Sequence, residues 1–220
     1  MRRWMVLMAV FLVVVCSGFA QALTLTELKI VPDGSYYTKL YYHINNTDNE
    51  MDAYSGRFHT YIIENGKTII DTYSYCIDLG EEFDWNTPFS VVLNSADADF
   101  VAAAWLVYNF DPFNGVDVDK LAGSTGEIIA ALQLAVWSTV TEGFIYSDSN
   151  GAAITTLYNE MIRLLKNTDD YSAAQGLYAA AISGGSQDQL VAAPVPEPAT
   201  MLLMGIGLLG LGVVGRKRLK

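Results

Sequence analysis

Cysteine is almost missing from this sequence. Of 220 residues only Cys16 and Cys76 carry thiols. Cys16 falls in a stretch that looks like a removable leader: Met1-Arg2-Arg3, an apolar run from Trp4 to Val15, then Ala20-Gln21-Ala22. A basic start, an apolar middle and an A-x-A site describe a secretory signal peptide over residues 1–22. Val13-Val14-Val15 precedes Cys16 where a lipoprotein signal would want small residues. Cys76 is then expected to be alone in an exported protein, which excludes an internal disulfide framework. Three roles remain for it: intermolecular pairing, a reactive thiol, or a small buried hydrophobe.

Histidine is equally scarce, with His43 and His59 only, and positive charge is sparse. Six of the 13 Lys and Arg residues sit in the leader and in the last five residues, leaving seven in the interior of a chain with 24 acidic residues. So acidic a surface repels nucleic acid and anionic membrane. No internal repeat is visible and no metal motif. Asp97-Ala98-Asp99, Asp117-Val118-Asp119 and Asp169-Asp170 lack the spacing of an EF-hand loop. No cofactor is expected.

The C-terminal end has three parts: Val195-Pro196-Glu197-Pro198, an apolar, glycine-rich run to Gly215, and Arg216-Lys217-Arg218-Leu219-Lys220. The run is barely long enough to span a bilayer, and its basic end would stay cytoplasmic. The order of Pro196-Glu197-Pro198, apolar helix and Arg216, Lys217 and Arg218 resembles the PEP-CTERM sorting signal over 195–220. The resemblance implies export from a Gram-negative bacterium that makes exopolysaccharide or biofilm matrix. It also implies removal of the tail by an exosortase, transient inner-membrane association through 199–215, and a final place at the cell surface or in the matrix. Residues 184–194, rich in Gly, Ser, Gln and Ala, read as a flexible linker.

The domain lies between these ends, over 23–183. Leu23 to Lys29 alternates as a strand, Pro32 to Ser35 is a turn, Tyr36 to Ile44 is strand-like and Asn45 to Asn49 a polar loop. Tyr54 to Ile63 and Thr68 to Asp78 form a hairpin about Asn65-Gly66. Phe89 to Leu93 is a further strand. Asn94-Ser95 is expected to cap a helix through Phe110. Ser124-Thr125-Gly126-Glu127 is a capping box for a helix to about Thr141. Ala152 to Lys166 is a third helix and Tyr171 to Ser183 a short closing one. The fold class is α+β: an antiparallel, sandwich-like β subdomain followed by a helical one.

One residue breaks the apolar pattern of the second helix. Gln133 lies in Ala131-Leu132-Gln133-Leu134-Ala135-Val136-Trp137, and no charge occurs between Glu127 and Glu142. A buried amide needs partners. Trp137, four residues on, shares its face, so a hydrogen bond to the indole or to a strand backbone is one account. The other is chemical: a thiol held against the amide carbonyl displaces ammonia and leaves a thioester. Proximity replaces activation, and a dry wall keeps water off the product. Tyr75, Trp105 and Trp137 are candidate walls.

Tyr75-Cys76-Ile77 together with Gln133, Ala135 and Trp137 resembles the motif pair of bacterial surface thioester domains: an aromatic or aliphatic residue, Cys and an aliphatic residue upstream, and Gln-x-Ala-aliphatic-Trp downstream. Leu132 stands where Thr often precedes the Gln. The resemblance implies a β subdomain carrying the Cys joined to a helical one, with a Cys76–Gln133 thioester in a pocket with Tyr75, Trp105, Ala135 and Trp137. It also implies covalent capture of an amine on a surface or matrix target, such as a protein lysine or an amino sugar. That chemistry serves adhesion or matrix cross-linking in a single turnover, so no enzyme is expected. Two other readings stay open. A cysteine hydrolase or transferase would use Cys76 with His43 or His59. A passive exopolysaccharide-associated binding protein would have Cys76 and Gln133 merely packed together.

Overall fold

The computed structural model describes residues 27–31, 37–45, 50–82, 84–95 and 100–193. The leader, the expected turn at 32–35, most of the loop after Asn45 and the sorting tail lie outside these residues. Nine strands and three α-helices are described, in α+β order. Six strands form one antiparallel sheet: β1 (Glu27–Val31), β4 (Phe58–Glu64), β5 (Lys67–Cys76), β9 (Gln189–Ala192), β8 (Tyr178–Ile182) and β6 (Val92–Ser95), in that spatial order. Phe89, just before β6, exchanges backbone hydrogen bonds with Leu28 of β1 at 2.7 and 2.9 Å. The sheet therefore curls until its two ends meet. A second antiparallel sheet orders β3 (Met51–Gly56), β2 (Tyr37–Ile44) and β7 (Phe144–Tyr146).

Local signals account for much of this. Asn65 and Gly66, both at positive φ (51° and 72°), turn the β4–β5 hairpin as an Asn-Gly pair does. The α2 helix (Thr125–Val140) begins on the expected capping box: Ser124 Oγ accepts the Glu127 N–H, and the Glu127 carboxylate accepts the Ser124 N–H at 2.8 Å. The α3 helix (Ala152–Lys166) has the expected bounds. The α1 helix (Val101–Phe110) starts later than expected, behind Phe100 and without a side-chain cap. Asn94 and Ser95 do not cap it; they pair with Ala180 and Ala179 in β6.

Three further expectations are corrected. The strand expected from Tyr54 to Ile63 is two strands in different sheets, broken at Arg57. Arg57 is buried, with its Nε 3.1 Å from Asp111 Oδ2 and its guanidinium over the rings of Tyr73 and Phe113, 3.5 and 4.2 Å from their centroids. Filling that corner turns the chain from one sheet to the other. The expected closing helix at 171–183 is instead a set of turns followed by β8. The expected linker at 184–194 contributes β9, an interior strand of the larger sheet.

The core has two parts, separated by the curled sheet. One fills its interior with Leu28, Ile30, Phe58, Ile62, Cys76 and Val191, and is closed by Ala130, Leu134 and Trp137 of α2. The other lies outside it, where Tyr75, Ile77, Ala180 and Leu190 meet the three helices. Strand alternation sorts the residues: Cys76 points in, while Tyr75 and Ile77 point out.

Candidate functional site: Cys76 and Gln133

The site forms where β5 outruns β4. In an antiparallel ladder each residue turns both backbone groups to one neighbour, and successive residues alternate. The last β4–β5 pair is Phe58 with Ser74. Beyond it, Ile77 turns to the β9 side, donating its N–H to Asp188 C=O at 3.0 Å. Cys76 turns to the other side, where β4 has ended at the Arg57 corner. Two buried backbone groups would be left without partners there, each a cost of about 1–3 kcal/mol.

Gln133 supplies both partners. Cys76 N–H donates to Gln133 Oε1 at 3.2 Å, and Gln133 Nε2 donates to Cys76 C=O at 2.7 Å. A side-chain amide on α2 thus completes the strand ladder. Neither residue is accessible: Cys76 is 1% exposed and Gln133 0%. The capping box and the apolar surroundings of α2 fix where the amide stands, because the helix cannot rotate without burying Glu127.

The thiol has its own contacts. Cys76 Sγ donates to Asp78 C=O at 2.8 Å, and Trp137 Nε1–H donates to Sγ at 3.5 Å. Burial pushes the thiol up to about 12. The hydrogen bonds from Trp137 and at Asp78 offset this only in part, and the charges of Asp78 and Asp188 raise it further. Such burial favours the neutral form of a free thiol at this position. That opposes the hydrolase reading, which needs a thiolate and an adjacent base. His59 is engaged elsewhere: its Nε2 lies 2.5 Å from Asp71 Oδ1, and its ring sits against Tyr61 and Tyr73. His43 follows Tyr42 on β2 and takes the opposite face of that strand.

Of the residues expected around the sulfur, the structure brings Trp137 to it. Tyr75, Trp105 and Ala135 lie in the other core, across β5 and on the far side of α2. Trp105 packs there on Phe110 and Tyr171. The second aromatic of the site is Tyr42, which the sequence reading did not single out. Its ring is 5.9 Å from that of Trp137 and 5.8 Å from that of Phe144. Burial raises its phenol, and the nearby Cys76 adds to the effect. Only the pairing of β2 over α2 delivers it, and no local signal marks that pairing.

A buried polar chain also leads to the site from inside the sheet. Thr60 and Ser74 share a hydrogen bond of 2.7 Å, and Ser74 Oγ donates to Gln189 Oε1 at 2.9 Å. Gln189 Nε2 reaches Gln187 Oε1 at 3.3 Å. Gln187 Nε2 then straps the carbonyls of Asp78 and Glu81. The Asp78 carbonyl that receives the thiol is therefore held by residues of β9 and the turn before it. Among the described residues no cluster of three potential metal ligands exists, and no helix is long and apolar enough to cross a membrane.

Comparison with known proteins adds two findings. Residues 194–218 match the family model of the PEP-CTERM protein-sorting motif, so the chain ends in that sorting motif. Among solved structures, the fold is similar to the N-terminal thioester domain of a surface protein from Clostridium perfringens, at 13% identity and a TM-score of 0.47, covering 74% of this chain and 95% of that one. It is also similar to the N-terminal domain of the Streptococcus pyogenes pilus tip adhesin Cpa, at 14% identity and 0.46, covering 76% and 98%. No curated protein matches the sequence.

Proposed function

We propose that this is an exported surface or matrix protein whose Cys76 and Gln133 form an internal thioester, a covalent hook for amine-bearing targets in adhesion or matrix cross-linking. The observation that carries the reading is the two-point docking of the Gln133 amide on the residue whose thiol would attack it. In forming the bond, Sγ adds to the Gln133 side-chain carbonyl carbon. The C–N bond breaks, the thiol proton goes to the leaving nitrogen, and ammonia departs. Cys76 N–H already points at the carbonyl oxygen, where negative charge develops in the tetrahedral intermediate. Burial then protects the product from water. The same burial disfavours a free thiolate, so the hook waits until an amine attacks. It is spent in one turnover and is not a catalyst. The sorting motif supports export, processing by an exosortase and delivery to the surface of a Gram-negative cell.

Intact-mass spectrometry tests this. The mature domain should weigh one ammonia less than its sequence, and methylamine should add to it once. The full sequence mass, with a Cys76 thiol that titrates freely in fresh protein, would sink the reading. That result would leave Gln133 as a plug for the strand ladder and favour a passive matrix protein.

A second measurement uses the thiol itself. In Gln133→Ala no thioester can form, and iodoacetamide reports the thiolate fraction of Cys76. A pKa raised toward 12 means little thiolate at pH 7. The alkylation rate should then climb about tenfold per pH unit from pH 7 to 10, because the thiolate is the nucleophile. A plateau below pH 9 would show an ordinary or activated thiol.

A further inference from the structure

We infer that Trp137 accelerates amine capture, its indole N–H stabilising the Cys76 sulfur as the leaving group. The inference rests on the thioester reading. When an amine opens the thioester, its nitrogen bonds to the Gln133 carbonyl carbon and the C–S bond breaks. The electron pair goes to Sγ, and the proton lost by the amine ends on sulfur, giving an amide and a thiol. No other reactant is needed. The difficulty lies in the sulfur, because charge builds on it in a place where burial opposes charge.

Among the described residues, two groups are hydrogen-bonded to that sulfur. The Asp78 carbonyl accepts the thiol hydrogen at 2.8 Å. A thioester sulfur has no hydrogen, so this carbonyl offers it nothing and would repel developing negative charge. The indole N–H, 3.5 Å from Sγ, is a donor. Its contact strengthens as charge grows, which is the requirement for rate enhancement as opposed to mere binding. Indole is a donor only and does not titrate in the working range, so it is a fixed dipole and not a base.

Placement makes the donor rigid. Trp137 is fully buried and follows Gln133 by one helical turn. One helix face therefore carries both the electrophilic carbon and the donor to its leaving group. Tyr42 and Phe144 pack on the indole with centroids 5.9 and 6.3 Å away. Space filling alone would not require the N–H to face sulfur.

The test is Trp137→Phe in the mature domain, read by mass. The variant should still lose its ammonia, though more slowly because formation is the reverse of capture, and should then capture methylamine about 10- to 100-fold more slowly, at or below the low end of the roughly 100- to 1000-fold that one preorganised donor contributes in acyl transfer. An ammonia-deficient variant that captures methylamine at the wild-type rate or faster overturns the inference and leaves the thioester standing. A wild-type protein of full sequence mass overturns the thioester, and this role with it. Should Trp137→Phe fail to fold, ¹⁵N-labelled wild type decides the matter. The Trp137 indole N–H resonance should move on methylamine capture, as its acceptor changes from thioester to thiol sulfur. An unmoved resonance overturns the inference.

Discussion

A protein truncated after Ser183 will not fold, whereas one that ends at Ala193 will. The residues between them are Gly- and Ser-rich at first and read as a spacer, but they close with β9, which lies between β5 and β8. Gln189 and Val191 are 0% exposed and Leu190 is 1%. Burying a Leu or Val side chain contributes about 1.5–3 kcal/mol each. Loss of the strand also strips one edge each of β5 and β8 of hydrogen-bond partners inside the molecule, at about 1–3 kcal/mol per orphaned group. Together these losses are comparable to the roughly 5–15 kcal/mol by which a domain is ordinarily stable. Circular dichroism and thermal melting should show no cooperative transition for the shorter protein and a sharp one for the longer. A shorter protein that melts cooperatively and still lacks one ammonia would show β9 to be dispensable. The expected result means that the folded unit runs up to the sorting motif at 194–218, with no spacer before it. Processing must fall beyond β9 if the Cys76 site is to survive, because Gln189 is the register partner of Cys76.

Why the sequence hid β9 while showing other elements is a matter of range. The Asn65-Gly66 hairpin and the Ser124–Glu127 box act through residues two or three apart, so the local string contains the whole cause. Cys76 and Gln133 were also readable, since a thiol expected to be alone once the leader is removed and an amide inside an apolar run are both anomalies in the string. The break at Arg57 has only one faint local mark, Gly56, at which β3 ends. Tyr54 to Ile63 alternates as one strand would, and the turn between sheets depends on Asp111 and Phe113, more than 50 residues away. Tyr178-Ala179-Ala180-Ala181-Ile182 has helical propensity, but pairing with β9 and β6 on both sides overrides it. Small side chains suit that strand, since Ala179 and Ala181 face the crowded sheet interior and Ala180 the helices. The aromatic wall followed the same rule. Trp137 was found because it shares a helix face with Gln133. Tyr75 was misassigned because adjacency in a strand places a neighbour on the opposite side. Tyr42 was invisible because β2 comes to the site only through the second sheet.

Gln133→Ala should lose both the hook and much of the stability, and Gln133→Glu should separate the two. Alanine removes the partners of Cys76 N–H and C=O at a site where water does not reach. Measured against Cys76→Ala, which keeps the Gln133 amide unreacted, two orphaned groups and a small cavity should together cost about 3–5 kcal/mol, seen as a lower urea midpoint. The variant should have its full sequence mass and take up no methylamine. Glutamate has nearly the same shape. In so dry a place its carboxyl group is held protonated, so one oxygen accepts from Cys76 N–H and the hydroxyl donates to Cys76 C=O. Most of the lost stability should return near neutral pH. Amine capture should not, because a carboxyl group has no ammonia to expel and its thioester does not form spontaneously in water. Should Gln133→Glu restore the fold and also take up methylamine, the nucleophile's target is not the side chain of residue 133 and the thioester assignment is wrong. Should it restore the fold alone, the two roles of Gln133 are resolved: its hydrogen bonds finish a strand that β4 leaves short, and its amide nitrogen is the group that the thiol displaces.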